Sequence, residues 1–439
     1  MTGAIRELHE DYRAGRRSPV DVVQEHVEAA ATLGRALNAF TALLDEDALA
    51  AAEASQGRYQ QGTPLSIIDG VPISMKDLFH VKGTATGCGS HAYPPDIQPQ
   101  DADMVRELKA AGAIIIGKNN LLEFAFGLVN PEIGPARNPW DPEKTIGGSS
   151  SGSAAAVGAG IGLASIGTDT AGSVRNPAAL GGVVGFKPSY GHYSAEGLIP
   201  LSPSLDHIGL LTETVADAQA IFEALGGPLA SRQKNRWRMV SVDLGYTSPD
   251  VQAAVKGLVD QVMDEGEARP AFDFDWSSAN QAAIEMITAE AYAVHRELLR
   301  ERWDFYGEPT RVRLLAGQAV RTHDYIRARQ VRERLRRDWL AKTEDIDFIL
   351  LPTLPAVAVS EAEALVEDLS TATLYTSTFA LLGLPAISVP AGLGAHGLPA
   401  GLQIVGRPGR DADLLAFARR VEELRGPFPH PPHHVRNAP

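Results

Sequence analysis

The sequence predicts an α/β fold with a largely buried sheet. Two apolar, strand-like segments, residues 67–73 and 113–116, enclose a run at 102–111 whose apolar residues recur at helical spacing. An order of strand, helix and strand is typical of folds in which helices cover a sheet. The Gly-, Ser- and Ala-rich stretch at 134–212 is poor in charge and interleaved with apolar runs, which favours a packed core over a flexible linker.

The first helix start with a clear capping signal lies at Ser18. Ser18 can cap the helix, Pro19 suits its first position, and Asp21 stands where a capping box requires a carboxylate. The apolar, small-residue segment 154–167 is too short to span a membrane and predicts a buried helix.

Later segments follow the same alternation. Residues 275–342 are charged and predict long helices, with arginines on a solvated face rather than in a nucleic-acid patch. Strands are predicted at 347–352, 386–390 and 400–405, and a closing helix at 411–424. We expect the three-histidine tail that follows to be disordered rather than to bind a metal.

Composition narrows the class of protein. The chain has 439 residues, of which 44% are hydrophobic, and length alone suggests two or three domains. Forty Lys and Arg against 54 Asp and Glu give a net charge of −14, which disfavours non-specific nucleic-acid binding. No secretory signal or membrane span is evident, and the lone Cys88 predicts a buried thiol in a reducing cytosol. We therefore expect a cytoplasmic protein.

Three segments carry residues suited to catalysis. A serine needs a base before it can attack a carbonyl, and Ser149 and Ser173 lie in Gly-rich segments, GGSSSGSAAA and GTDTAGSVRNPA. Lys76, in the apolar segment VPISMKDLF, could be that base if burial lowers its pKa. Pairing with Asp77 is the alternative role for this lysine. If Lys76 is the base, Asp77 must point elsewhere.

Other sites suggested by the sequence are weaker. The segment at 112–118, GAIIIGK, is close to a phosphate-binding loop, but Asn119 stands where that motif needs Ser or Thr, so a strand and turn are predicted. His192 and His207 lie near the third segment and invite a Ser–His mechanism. The backbone of residues 170–173 can instead point several N–H groups at one place, as in an oxyanion hole.

The stretch from Gly147 to Gly191 resembles the amidase signature sequence. The resemblance extends to the segments around Lys76, from Ala111, from Ser204 and at LLGLPAISVP, and it is poorest at residues 225–345. It implies a mixed central sheet flanked by helices, an α/β/α amidase signature fold. It also implies a single domain over residues 1–439: a signature core at about 60–225, a helix-rich variable region at about 225–345, and C-terminal strands and a helix at 346–425.

The resemblance implies roles for individual residues. Ser173 would be the nucleophile, Ser149 the second serine, 24 positions earlier, and Lys76 the base, with Gly148–Ser149 as a cis peptide. Histidine is not used by the family, which counts against His192 and His207 as catalytic groups. The oxyanion hole would comprise the N–H groups of Thr170, Ala171, Gly172 and Ser173, Asp169 and Arg175 would brace this loop, and the substrate pocket would include Phe126, Gly148, Ile199 and His207.

One departure from the family pattern lies in that loop. Ala171 stands where the family most often has Gly, and its methyl group would tighten the oxyanion loop. No metal or cofactor is implied.

Three functions follow as hypotheses. The first is an amidohydrolase for small or aryl amides, and also for carbamates or esters, acting alone or as a homodimer on a small molecule without nucleic acid or membrane. The second is the amidase subunit of a glutamyl-tRNA(Gln) amidotransferase. The third is an inactive scaffold, against which the presence of all three implied catalytic residues counts.

Overall fold

One mixed sheet of eleven strands runs through the chain. The computed structural model describes residues 3–126, 128–230, 236–366 and 373–435. The strand order is β1-β3-β2-β4-β6-β5-β10-β11-β9-β7-β8. The strands are β1 (Phe40–Leu43), β2 (Pro72–Lys76), β3 (Ile114–Asn119), β4 (Ala164–Asp169), β5 (Val184–Lys187), β6 (His207–Thr212), β7 (Arg238–Ser241), β8 (Glu267–Ala268), β9 (Phe348–Pro352), β10 (Ala386–Leu393) and β11 (Pro399–Val405).

Helices flank this sheet, which confirms the predicted fold class. Strand β2 pairs in parallel with β3 and β4, whereas β4 and β6 are antiparallel, so the sheet is mixed. In the described residues the α-helices are α1 (Ala4–Arg13), α2 (Pro19–Ala29), α3 (Asp45–Gln60), α4 (Asp103–Ala110), α5 (Ser151–Gly158), α6 (Arg175–Gly181), α7 (Val215–Ala224), α8 (Pro249–Asp264), α9 (Trp276–Glu301), α10 (Glu308–Gln318), α11 (Thr322–Lys342), α12 (Glu361–Val366), α13 (Ser377–Leu381) and α14 (Asp411–Arg425).

Local sequence signals account for several of these boundaries. Helix α2 begins after Ser18, whose Oγ accepts the Asp21 N–H at 3.1 Å, with Pro19 in the first turn, as predicted. All five residues of β2 are buried, as expected for a strand covered on both faces. The arginines of α11 are exposed except for the partly buried Arg332, so the predicted solvated face is confirmed for the others.

Two predicted elements are wrong in extent, and turns explain both. The strand predicted from residue 67 begins at Pro72, because Asp69 pairs with Arg58 at 2.6 Å and Gly70 turns the chain with φ +78°. The helix predicted over 154–167 ends at Gly158, and β4 begins at Ala164. Between them, Gly160 and Gly162 have φ of +76° and +74°, a backbone conformation that ends a helix.

The C-terminal tail packs against the body of the protein as far as residue 435, so the expected disorder is wrong for these residues. The Val435 N–H donates to the Ala159 carbonyl at 2.9 Å, and the His433 N–H donates to the Pro139 carbonyl at 3.3 Å. His434 is buried. Within the described ranges, every helix is too short or too polar to cross a membrane.

Candidate active site

Lys76 lies at the end of β2, between the parallel strands β3 and β4, and is fully buried. Its Nζ is 2.7 Å from Ser149 Oγ and 2.8 Å from Thr168 Oγ1. Burial lowers the pKa of Lys76 to about 7, against the opposing effect of the Asp206 and Asp169 carboxylates. At that pKa the amine is largely neutral in mildly alkaline solution, and a neutral amine can accept a proton.

Ser149 lies just before α5, in a segment of small residues that approaches the sheet closely. A Cβ at Gly152 would lie 2.4 Å from the Ala39 carbonyl oxygen, so only glycine fits there. The Gly148–Ser149 peptide is cis, as the resemblance implies. The Leu122 N–H donates to the Ser149 carbonyl at 3.2 Å, which ties this loop to the segment after β3.

Ser173 lies in the turn between β4 and α6 and is partly exposed. Gly172 has φ +132°, and a Cβ there would lie 2.3 Å from Thr376 Oγ1, so the turn requires glycine. The Ser150 N–H donates to the Ser173 carbonyl at 3.1 Å. Ser149 and Ser173 consequently line the same cavity.

A buried ion pair supports the Ser173 turn. Asp169 receives the Arg175 guanidinium at 2.9 Å (Nε) and 2.8 Å (Nη2), and Arg175 Nη1 also donates to Gln403 Oε1 at 2.6 Å. Burial alone would raise the pKa of Asp169, but the Arg175 charge and hydrogen bonds hold it well below its usual range. The carboxylate therefore stays ionised inside the fold.

The same carboxylate changes the predicted oxyanion hole. The Gly172 N–H donates to Asp169 Oδ1 at 2.8 Å, so the prediction that Gly172 serves as an oxyanion donor is wrong in this geometry. Asp169 Oδ2 also accepts the N–H groups of Val174 and Arg175, at 3.3 and 3.4 Å. Thr170, Ala171 and Ser173 remain as the predicted donors.

The cavity has a volume of about 350 Å³ and a largely apolar lining. Phe126 and Gly148 line it, as expected for pocket residues, together with the N-terminal part of α9 and the segment after β9. Polar groups at its wall include Arg313, whose Nη1 donates to the Phe126 carbonyl at 2.8 Å. Its larger aliphatic side chains include Leu122, Leu128, Val129, Leu201, Ile284 and Ile287.

Two residues expected in the pocket lie elsewhere. The Ile199 N–H donates to the Leu78 carbonyl at 3.0 Å and its side chain packs against the core, so Leu201 is the residue of this loop that reaches the cavity. His207 is buried on β6, with Nδ1 2.6 Å from the Leu205 carbonyl and 3.1 Å from that of Asp169. Burial lowers the pKa of His207 well below its usual value.

The remaining candidates have structural contacts. His192 stacks on Phe222 with ring centroids 4.8 Å apart. Cys88 is fully buried, and burial raises the pKa of its thiol, which disfavours the nucleophilic thiolate. Residues 112–118 lead through β3 rather than forming a phosphate-binding loop.

Sequence reasoning missed Thr168 and Thr376. Thr168 lies within the same GTDTAGS segment as Ser173 and contacts the Lys76 amine. Thr376 donates to the Ala171 carbonyl at 2.5 Å from a position 205 residues further along the chain. Of the two, Thr168 has a sequence signal, because it lies one residue before Asp169 on a buried strand.

Comparison with known proteins places this chain in one family. The family model described as Amidase matches residues 21–415, and the chain belongs to that family. The A subunit of the glutamyl-tRNA(Gln) amidotransferase of Anaeromyxobacter dehalogenans is 35% identical, over 98% of this chain and 97% of that protein.

Solved structures of amidases also resemble this chain. A crystal structure of an amidase is 36% identical, with a TM-score of 0.87, over 96% of this chain and 99% of that one. The peptide amidase PAM, in complex with the competitive inhibitor chymostatin, is 27% identical with a TM-score of 0.80, over 95% and 96%. The chain is thus an enzyme that acts on carbon–nitrogen bonds. The curated relatives support the amidotransferase hypothesis better than the stand-alone amidase that the sequence analysis placed first.

Proposed function

We propose that the chain hydrolyses an amide C–N bond through an acyl-enzyme on Ser173, with Ser149 as proton relay and Lys76 as base. The observation that supports this most is the 2.7 Å contact between Ser149 Oγ and a fully buried lysine amine whose pKa is lowered to about 7. A neutral lysine at that position supplies the base that a serine nucleophile needs.

The reaction follows from this proton path. Ser173 Oγ bonds to the substrate carbonyl carbon as its proton passes to Ser149, whose own proton passes to Lys76. The C–N bond breaks as the proton returns through Ser149 to the leaving nitrogen. Water then attacks the ester, gives up its proton along the same path, and releases the acid and Ser173.

The oxyanion that forms in both steps needs fixed donors. We assign this role to the N–H groups of Thr170, Ala171 and Ser173, since Gly172 is already bonded to Asp169. The buried Asp169–Arg175 pair supports the turn that carries Ser173, and Thr376 donates a hydrogen bond to the Ala171 carbonyl. The loop is thereby shaped before substrate binds.

One candidate substrate is glutamine. The similarity to A subunits of glutamyl-tRNA(Gln) amidotransferases covers 95–98% of the chain. In this role the enzyme would release ammonia from an amide and act together with partner proteins.

The cavity lining favours a second candidate, a small amide with an apolar acyl or aryl group. Its large side chains are mostly aliphatic, with Phe126 at one wall. Carbamates and esters present the same carbonyl to Ser173 and belong to this class.

A substrate comparison on the purified chain separates the two. Ammonia release would be measured from L-glutamine and from a series of primary aliphatic and aryl amides and primary carbamates, with Ser173→Ala as the blank. Turnover of apolar amides by the chain alone supports the second candidate. Glutamine turnover that requires added amidotransferase partners supports the first. No turnover of any amide by the wild type, with or without such partners, would contradict the proposal.

A further inference from the structure

Two histidines in the described part of the C-terminal tail, His430 and His434, lie beside Glu213 in the turn between β6 and α7. His430 Nδ1 lies 3.4 Å from Glu213 Oε1. One ligand-capable atom from each of Glu213, His430 and His434 lies within 4.8 Å of the other two. The rings of His430 and His434 have centroids 4.4 Å apart, and their planes are tilted by 34°.

The separation of His430 and Glu213 suits a shared cation better than a direct hydrogen bond. It exceeds the usual N–H···O range of about 2.7–3.2 Å. Around a tetrahedral zinc ion, with bonds of about 2.0–2.2 Å to imidazole nitrogen and carboxylate oxygen, neighbouring ligand atoms lie about 3.3–3.5 Å apart. The ligand atoms now lie within 4.8 Å of one another, so side-chain shifts of up to about 1.5 Å would bring the third ligand to the same spacing.

The backbone around these side chains is held in place. His434 is buried against Gly160, where a Cβ would lie 2.7 Å from its Nε2. The N–H groups of His433 and Val435 donate to carbonyls of the body. Phe428, at the start of the tail, packs edge-on to Trp140 at 5.8 Å. Metal binding would therefore require little further ordering of the backbone.

We propose that Glu213, His430 and His434 bind one divalent transition-metal ion of the zinc class, which fastens the tail to the β6–α7 turn. Two imidazoles and a carboxylate suit Zn²⁺, and also Co²⁺, Ni²⁺ and Cu²⁺, rather than Mg²⁺ or Ca²⁺. The three ligands are absent from the lining of the cavity that holds Ser149 and Ser173. The ion is accordingly structural, and this site departs from our expectation of a metal-free, disordered tail.

Zinc titration of the full-length, chelator-treated protein tests the site. Calorimetry should find one Zn²⁺ per chain, and Zn²⁺ but not Mg²⁺ should raise Tm. The variants Glu213→Gln and His430→Ala, which change side chains 36% and 34% exposed, should weaken binding at least tenfold and lose the rise in Tm. His433→Ala, which removes the neighbouring exposed histidine, should bind as the wild type does.

His434→Ala is the less informative variant, because this side chain is buried and its loss also disturbs packing. Cobalt provides a second measurement, since a tetrahedral Co²⁺ site absorbs strongly in the visible range, and that band should appear in the wild type and in His433→Ala only. Wild-type affinity in Glu213→Gln and His430→Ala, or an equal loss in His433→Ala, would overturn the proposal. So would failure of the wild type to bind one equivalent of Zn²⁺.

Discussion

The Asp77 carboxylate lies 2.7 Å from the Lys118 amine, and both side chains are buried. Asp77 follows Lys76 directly in the chain, but it also accepts hydrogen bonds from Thr41 Oγ1 at 2.8 Å and from the Gly87 N–H at 3.1 Å. The expectation that Asp77 points away from Lys76 is confirmed. The Lys118 ammonium thus neutralises the Asp77 carboxylate, whose negative charge would otherwise favour the protonated form of Lys76.

Removing Lys118 should destabilise the fold strongly. Lys118→Met leaves the Asp77 carboxylate buried without its cation, which costs about 3–5 kcal/mol of unfolding free energy. The double variant Lys118→Met/Asp77→Asn should lose less than the sum of the single changes. Urea unfolding measures both. The control is Lys109→Met, whose pair with Asp101 lies at the surface, with Lys109 42% exposed and Asp101 18% exposed, and contributes under about 1 kcal/mol. Equal losses in Lys118→Met and Lys109→Met would contradict this account of the pair.

The pH dependence of kcat/KM should report Lys76. Only the neutral amine accepts a proton, and its pKa is about 7, so activity should rise through pH 7 towards a mildly alkaline plateau. Lys76→Ala should lose about 10²–10⁴-fold in rate while remaining folded. His207→Asn should keep the same acidic limb, because His207 is buried away from the cavity. An unchanged limb in Lys76→Ala, or its loss in His207→Asn, would point to a different base.

Two threonines near α13 form a matched pair for testing the oxyanion loop. Thr376 Oγ1 donates to the Ala171 carbonyl, whereas Thr378 Oγ1 is buried and has no hydrogen-bond partner among the residues that the structure describes. Thr376→Val should lower kcat about 10- to 100-fold with little change in KM, because it loosens groups that act in the transition state. Thr378→Val should be close to neutral in kcat. Steady-state kinetics would measure kcat and KM for both variants. Equal losses of kcat in Thr376→Val and Thr378→Val would contradict the positioning role of Thr376.

Local and periodic signals carried much of the fold and of the site. Capping at Ser18, the helix at 102–111 and the closing helix at 411–424 depend on neighbouring residues, and the structure has them within a few positions. Lys76 and Ser149, 73 residues apart, were linked by resemblance to a family rather than by any local rule, and they lie in contact.

The remaining features depend on long-range contacts that a linear pattern does not contain. The Gly172 N–H is bonded to Asp169 because of the orientation of that carboxylate. Arg175, which itself donates to Gln403, fixes this orientation. The contact of Thr376 with the Ala171 carbonyl needs the return of a segment 205 residues away. Similarly, the resemblance implied Ile199 as a pocket residue, but Leu201, two positions further along the chain, reaches the cavity instead.

The identity of the nucleophile is the most direct test of the proposed mechanism. The wild-type chain would be treated with a fluorophosphonate or sulfonyl fluoride, digested and mapped by mass spectrometry. We predict a single adduct on Ser173, absent from Ser173→Ala and strongly slowed in Lys76→Ala. An adduct on Ser149 or on another residue in the wild type, or undiminished labelling of Ser173→Ala, would contradict the mechanism.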